Sequence, residues 1–323
     1  MQALFHRWLL TAGLVLASLC PPALAQDGYP SRPIRFIVPL PPGGPSDHMA
    51  RLVAQGLSAQ LGQPVVVDNR PGAGGAIALR EAMAAAPDGH TWLYAIGSMI
   101  ALPLRTQPPT FNWLAELAPV GTLGRVNFCL MVHPGVPART VAELVAHARA
   151  HPDQLNYAAS TLGELMAASQ FMKSTGVRMT RVPYKGGAQA MPDLLAGRVQ
   201  LMFGPQSLAQ AQLAQGGVRV LATLLPQRSP TLPEVPTLAE AGYPGVSVPT
   251  WQSVFVPAKT PQAVVDRLQR ELQTVLAKPE LRSDLERRAL SVERSSPEEL
   301  AATVGREQAL WTSLLSEHPA GLD

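Results

Sequence analysis

Cysteine is almost missing from this chain: Cys20 and Cys129 are the only two. Cys20 falls in an apolar leader, so processing leaves Cys129 as the single thiol and rules out an internal disulfide. An exported domain without disulfides rests on its core alone, which about 300 residues can supply. Cys129 lies in the apolar run Val126–Val132 and reads as a small buried hydrophobe, not a reactive thiol. Charge is scarce too, at 15 % of residues, with a formal balance of +3 and no runs of Lys or Arg. A basic stripe with interleaved aromatics is lacking, so nucleic acid is not an expected partner. No segment reaches the roughly 20 apolar residues that a membrane-spanning helix needs. Catalytic signatures are absent as well: there is no G-x-S-x-G, no H-E-x-x-H and no Walker A sequence. The seven histidines do not cluster with carboxylates, and neither a metal nor a cofactor is expected.

The N-terminus carries an address. His6 and Arg7 precede the apolar run Trp8–Leu19, and Ala23-Leu24-Ala25 fits an A-x-A cleavage site. This is the pattern of a signal peptide, residues 1–25, and implies export to the periplasm. Leu19 is too large for a lipobox, so simple export is expected over lipid anchoring at Cys20. Losing Arg7 reduces the 26 basic residues to 25, against 23 acidic ones.

The remaining chain alternates short apolar runs with helical patterns. Strands are expected at Ile34–Leu40, Val65–Val67, Trp92–Ile96, Phe128–Val132 and Asn156–Ala159. Others are expected at Met179–Tyr184, Gln200–Phe203, Val218–Leu224 and Ser253–Val256. Capping boxes are read at Thr140–Glu143, Thr161–Glu164, Thr237–Glu240 and Ser296–Glu299, and Thr260-Pro261 reads as an N-cap followed by proline. Alternation of this kind implies an α/β protein with parallel sheets. Two strand sets, one before about residue 125 and one from about 155 to 225, suggest two domains. The helical last ~75 residues would return to cover the first. Ligands of such sheets bind beyond the carboxyl ends of the strands.

One loop organises this layout. Val38-Pro39-Leu40-Pro41-Pro42-Gly43-Gly44-Pro45-Ser46-Asp47 joins the first strand to a helix over about 46–61, with Ser46 as the expected N-cap. Glycines expose backbone N–H groups beside the positive helix end, which suits an anion. Asp47, four residues before Arg51, reads as a helix-start charge with an ion-pair partner and not as a general base. Asn69-Arg70-Pro71-Gly72-Ala73-Gly74-Gly75 resembles a dinucleotide fingerprint, but Ile77 stands at the third glycine position and the turn follows the second strand. It is read as a second set of N–H groups beside the first loop, with simple turn chemistry as the alternative. Ser160-Thr161-Leu162-Gly163 begins another helix, where Thr161 caps it, faces the cleft, or both. Tyr184–Gln189, Phe203–Ser207 and Gly97-Ser98 are further loop positions. Lys185 is either solvated or meets an anion. His147 and His151, spaced i,i+4, either complement a helix C-terminus or grip a metal.

These residues resemble a known family. Tyr29–Pro39, the Pro-Pro-Gly-Gly turn with Asp47, and Asp68–Gly75 are similar to segments of the Bug family, periplasmic solute-binding proteins of TctC type. Pro87-Asp88-Gly89, Leu155–Ala158, Val182–Gly187, Asp193–Gly197 and Arg228–Thr237 continue the match in order along nearly the whole mature chain. The resemblance implies a two-domain Venus-flytrap fold of the type II periplasmic-binding-protein kind. Its domains would be residues 26–125 with 248–323, and residues 126–247. A small organic carboxylate would be captured between them and delivered to the membrane permease of a tripartite tricarboxylate transporter, by a monomer. Leu40, Pro41, Gly44, Ser46, Asp47, Ala73 and Gly74 would hold the carboxylate side, with Ser98 at the rim. Ser160, Thr161, Gly163, Gly187, Ala188, Gly204 and Pro205 would line the opposite wall.

The chain departs from the family pattern in places. Leu40 replaces the usual phenylalanine, the segment after Ser160 is shorter, and Met202-Phe203-Gly204 replaces Met-Phe-Asp. Losing that aspartate removes a partner for a ligand ammonium, so the expected ligand is a mono- or dicarboxylate with an uncharged or apolar far end. Two other readings stay open: a flytrap receptor signalling to a sensor kinase, and an exported lyase or hydrolase.

Overall fold

The computed structural model describes residues 28–105, 109–248 and 250–317. The leader and Cys20 lie outside them. The chain opens with β1 (Ile34–Val38), α1 (Pro45–Leu61), β2 (Val65–Asn69), α2 (Ala76–Met83) and β3 (Thr91–Ile96). β1 pairs in parallel with both β2 and β3. Trp92–Ile96 are all buried, as suits a strand inside a sheet covered on both faces. α1 buries Met49, Ala50, Val53, Ala54, Leu57 and Leu61, a stripe spaced by three and four residues. It ends at Gly62, whose left-handed φ of 67° lets its N–H return to Ser58 O at 3.1 Å.

After α3 (Trp113–Glu116), the ten-residue β4 (Leu117–Val126) runs directly into β5 (Phe128–Val132) and changes sheets. The second sheet then forms from β5, β6 (Asn156–Ala159), β7 (Thr180–Pro183), β8 (Leu201–Pro205) and β9 (Arg219–Thr223). Its helices are α4 (Val141–Ala150), α5 (Leu162–Thr175), α6 (Gly187–Leu195) and α7 (Gln206–Leu213). The chain returns through β10 (Trp251–Pro257), α8 (Gln262–Leu276), α9 (Pro279–Arg287), β11 (Leu290–Val292) and α10 (Pro297–Glu317). Strand order is β11-β4-β10-β3-β1-β2 in the first sheet and β7-β6-β8-β5-β9 in the second.

The sheets are mixed, not parallel throughout. β10 is antiparallel to β3 and β4, and β5 is antiparallel to β8 and β9. A chain that crosses twice between sheets enters each new sheet against its neighbours. The two crossings are tied together, with Val126 N–H donating to Thr250 O at 3.0 Å. One hydrophobic core runs through both sheets, from Phe36 and Trp92 to Leu130, Phe171 and Phe203. A second cluster, on the other face of the second sheet, holds Met131, Leu194, Met202 and Cys129. Cys129 is fully buried there, and burial pushes its thiol pKa up.

Candidate ligand-binding cleft

The loop after β1 is fixed by a carboxylate. Asp47 Oδ2 accepts from Gly43 N–H at 3.0 Å and from Arg51 Nε at 3.0 Å. Asn69 Nδ2 donates to Asp47 Oδ1 and to Leu40 O, each at 2.9 Å, and Arg51 Nη2 reaches Asn69 Oδ1 at 3.1 Å. Burial opposes the charge of Asp47, but the bonds from Arg51, Gly43 and Asn69 outweigh it and hold the carboxyl below its usual range. Ser46 is not the N-cap. α1 begins at Pro45 with Gly44 as its cap, so Ser46 sits inside the first turn and donates from Oγ to Gln252 Oε1 at 3.1 Å. The first-turn N–H groups of Ser46 and Asp47 have no partner within the helix.

The facing loop is tied in a different way. Thr161 caps α5 in a reciprocal capping box with Glu164. Glu164 Oε2 also accepts from Ser160 Oγ at 2.7 Å and from Ser160 N–H, besides Thr161 N–H at 3.2 Å. Glu164 is 2 % exposed. Burial pushes its pKa up to about 7, against the pull of the bonds from Ser160 and Thr161.

Between these loops lies a cavity of about 600 Å³, the solvent at its mouth included. Leu40, Pro41, Gly44, Ser46 and Ser98 line it from the first sheet's side. Ser160, Thr161, Gly163, Gly187, Ala188 and Pro205 line it from the second. Asp47, Ala73, Gly74 and Gly204 do not line it. Asp47 is turned to its loop, as described. Ala73 and Gly74 belong to a turn with left-handed φ at every residue from Gly72 to Gly75, which closes against α5: a Cβ at Gly74 would lie 3.9 Å from Leu162 Cγ. Gly204 is inside β8, which runs two residues further than its apolar pattern indicates, and pairs with Cys129. Lys185 is also outside the lining, and Arg70 is bound to Asp68 at 3.0 Å.

Residues not foreseen complete the walls. Ile96, Val126 and Phe128 give apolar surface, and Gln252 and Thr250 add polar groups at the crossings. Gln252 is one residue before the expected start of its strand, more than 200 residues from Ser46, and nothing local in the sequence signals the pairing. Glu164 had a signal: a glutamate at the third position of a helix reaches back over the helix N-terminus. It is the only titratable side chain among the lining residues, so the second wall does retain a carboxylate despite Gly204.

The two loops touch across the mouth. A Cβ at Gly186 would stand 2.7 Å from Pro41 Cδ, and one at Gly163 would stand 3.6 Å from Ser98 Cβ. Gly186 has an extended backbone, with φ of −173°, so the close approach of Pro41 is what the missing side chain permits. The histidine pair at the C-terminus of α4, with His151 as its C-cap, does not line the cavity: the rings are 4.5 Å apart, and His151 Nδ1 lies 3.0 Å from His147 O. Among the described residues no group of three or more His, Cys, Asp or Glu could hold a metal. None of the described helices is long and apolar enough to cross a membrane.

Two mixed α/β lobes joined by two crossings, with a cavity between facing loops, define a periplasmic-binding-protein fold of the Venus-flytrap type. The chain belongs to the TctC family, the tripartite tricarboxylate transporter family receptors, whose sequence model matches residues 49–318. It is 33 % identical to BugT of Bordetella pertussis over 303 residues, 93 % of each chain. The solved periplasmic binding protein BugD is 31 % identical, with a TM-score of 0.85 over 91 % of this chain and 99 % of that one. A protein of R. palustris solved with adipate is 32 % identical, with a TM-score of 0.84 over 89 % of this chain and 97 % of that one.

Proposed function

We propose that this chain is an exported, non-enzymatic receptor that captures a small organic carboxylate in the cleft and delivers it to the permease of a tripartite tricarboxylate transporter. The observation that carries the reading is the cavity itself. It is walled on one side by the first turn of α1 and on the other by that of α5, with an apolar strip from Ile96, Val126 and Phe128 between. N–H groups and hydroxyls of Ser46 and Ser98 would take the carboxylate, and the strip would take the ligand's hydrocarbon. No lysine, arginine or histidine lines the site, so backbone donors and helix ends would carry the anion. The adipate found in the R. palustris relative supports this class of ligand. The lobes are assigned as residues 26–125 with 248–323, and residues 126–247, which close on each other.

A thermal-shift screen of the mature protein against mono-, di- and hydroxycarboxylates tests the reading. At 100 times its dissociation constant, a one-site ligand adds about 2.7 kcal/mol and raises Tm. At least one carboxylate should do so, while matched neutral amides should not. A screen in which carboxylates leave Tm unmoved and another class raises it overturns the proposal.

A further inference from the structure

Glu164 is out of place in a site for anions. It is buried, it lines the cavity, and it is the one titratable side chain there. All its protein hydrogen bonds fall on one oxygen, Oε2, which accepts from Ser160 N–H, Ser160 Oγ and Thr161 N–H. The other oxygen, Oε1, takes none of these, yet it is not among the fully enclosed polar atoms without a partner. As Glu164 lines the cavity, Oε1 is the carboxylate atom left for a ligand.

No cation offsets the charge. α5 packs on β6, β8, the turn Gly97–Ala101, the turn at Gly74 and Tyr243, and Arg149 of α4 donates to Thr175 O at its far end, eleven positions from Glu164. The titratable side chain on β6, β8 and the turn Gly97–Ala101 is Tyr157, whose phenol is pushed up by burial and stays neutral across the physiological range. On α5 itself the other charged residue is Lys173, nine positions further along. Ser160 N–H, Ser160 Oγ and Thr161 N–H are spent on Oε2, so these three donors cannot also hold a ligand carboxylate. A second anionic group arriving here would face an unscreened like charge in a poorly solvated site, which is costly unless a proton is added.

Resting on the carboxylate-binding reading, we propose that Glu164 reads the ligand's far end and couples dicarboxylate binding to uptake of one proton. As the carboxylate, Glu164 accepts a hydrogen bond from a hydroxyl at the end of a monocarboxylate. As the acid, it donates to the second carboxylate of a dianion. The proton comes from solvent and is shared between Glu164 Oε1 and the ligand oxygen, and no bond other than the hydrogen bond forms. Burial already holds the free carboxyl close to neutrality, at about 7, so the proton is taken up at little cost.

Calorimetry of the mature protein with ligand pairs matched in chain length tests this: adipate with 6-hydroxyhexanoate, and succinate with 4-hydroxybutyrate. Titrations at about pH 8 in two buffers of different ionisation enthalpy count the protons directly on the unmodified protein. The dicarboxylate of the tighter pair should bind with uptake of nearly one proton, and its hydroxy partner with none. The dicarboxylate Kd should weaken approaching tenfold per pH unit above about pH 7, as one-proton linkage requires. Glu164→Gln, which keeps a residue able to complete the capping box, should abolish both the uptake and the pH slope. Dicarboxylate binding without proton uptake, or with an uptake that survives in Glu164→Gln, overturns the proposal while leaving carboxylate capture standing. Binding of neither member of either pair overturns this proposal, and overturns carboxylate capture too when no carboxylate of the thermal screen raises Tm.

Discussion

Asp47 and Glu164 are both buried carboxylates, and opposite balances set their charge. Asp47 has Arg51 and two other donors on its oxygens, and its pKa is lowered. Its contribution to stability is therefore complete above about pH 4, the unfolded value, and is lost as pH falls through the folded one. Glu164 has no cation, and its pKa rises from 4.5 to about 7. In that window the folded protein holds a proton that the unfolded chain has released, so stability falls as pH rises from about 4.5 to 7 and then levels. Glu307, buried beside Trp251, is pushed up to about 7 as well and adds a slope of the same sign, so urea unfolding of Glu164→Gln should show a clearly shallower slope; an unchanged slope would place its origin elsewhere. Asp47→Ala should cost about 1–3 kcal/mol, the price of unpartnered polar groups in a buried network. It should also weaken carboxylate binding, because Gly43 N–H loses its acceptor and Asn69, which holds Leu40 O, loses a partner of its own. A destabilised variant with unchanged affinity would show that the network serves the fold alone.

At the level of elements, the loop contact between Pro41 and Gly186 carries a selective prediction. Gly186→Ala suits the extended backbone but places a Cβ 2.7 Å from the Pro41 ring. Overpacking of this kind costs about 1–3 kcal/mol, here charged only to the closed arrangement. Affinity should fall roughly ten- to a hundredfold while urea unfolding of the ligand-free protein stays unchanged. The reverse pattern would mean that this contact belongs to the resting fold. Elements with a strong local signal were readable from the sequence: β5 and β6 have the expected bounds, and the Thr161–Glu164 box forms as written. β4 was not, because Pro119, Gly121 and Gly124 break its apolar alternation, and the three residues of β11 are too few to show one. Thr237 and Glu240 exchange their capping bonds without a helix following, since the chain turns at Gly242. Thr260 is displaced from its expected cap by Pro261.

For the whole molecule, the legible part of the site is the part built from loops that follow strands. Leu40–Ser46 and Ser160–Gly163 sit at the carboxyl ends of β1 and β6, where an open α/β sheet presents its ligand. What stayed hidden comes from the crossings: Val126, Phe128, Thr250 and Gln252 reach the cavity because two lobes share two connections, a fact of topology that no local pattern records. The same topology makes the account mechanical. The lobes meet through loops at the cavity mouth, through α5 on the turn Gly97–Ala101 and through the crossings at its base, so a ligand bound to both walls should draw them together. Small-angle scattering of the mature protein, with and without a saturating carboxylate found by the thermal screen, tests this most directly. The radius of gyration should be smaller with the carboxylate, with no such change in Gly186→Ala. A carboxylate that saturates the protein, leaves the radius unaltered and binds Gly186→Ala equally well would contradict it.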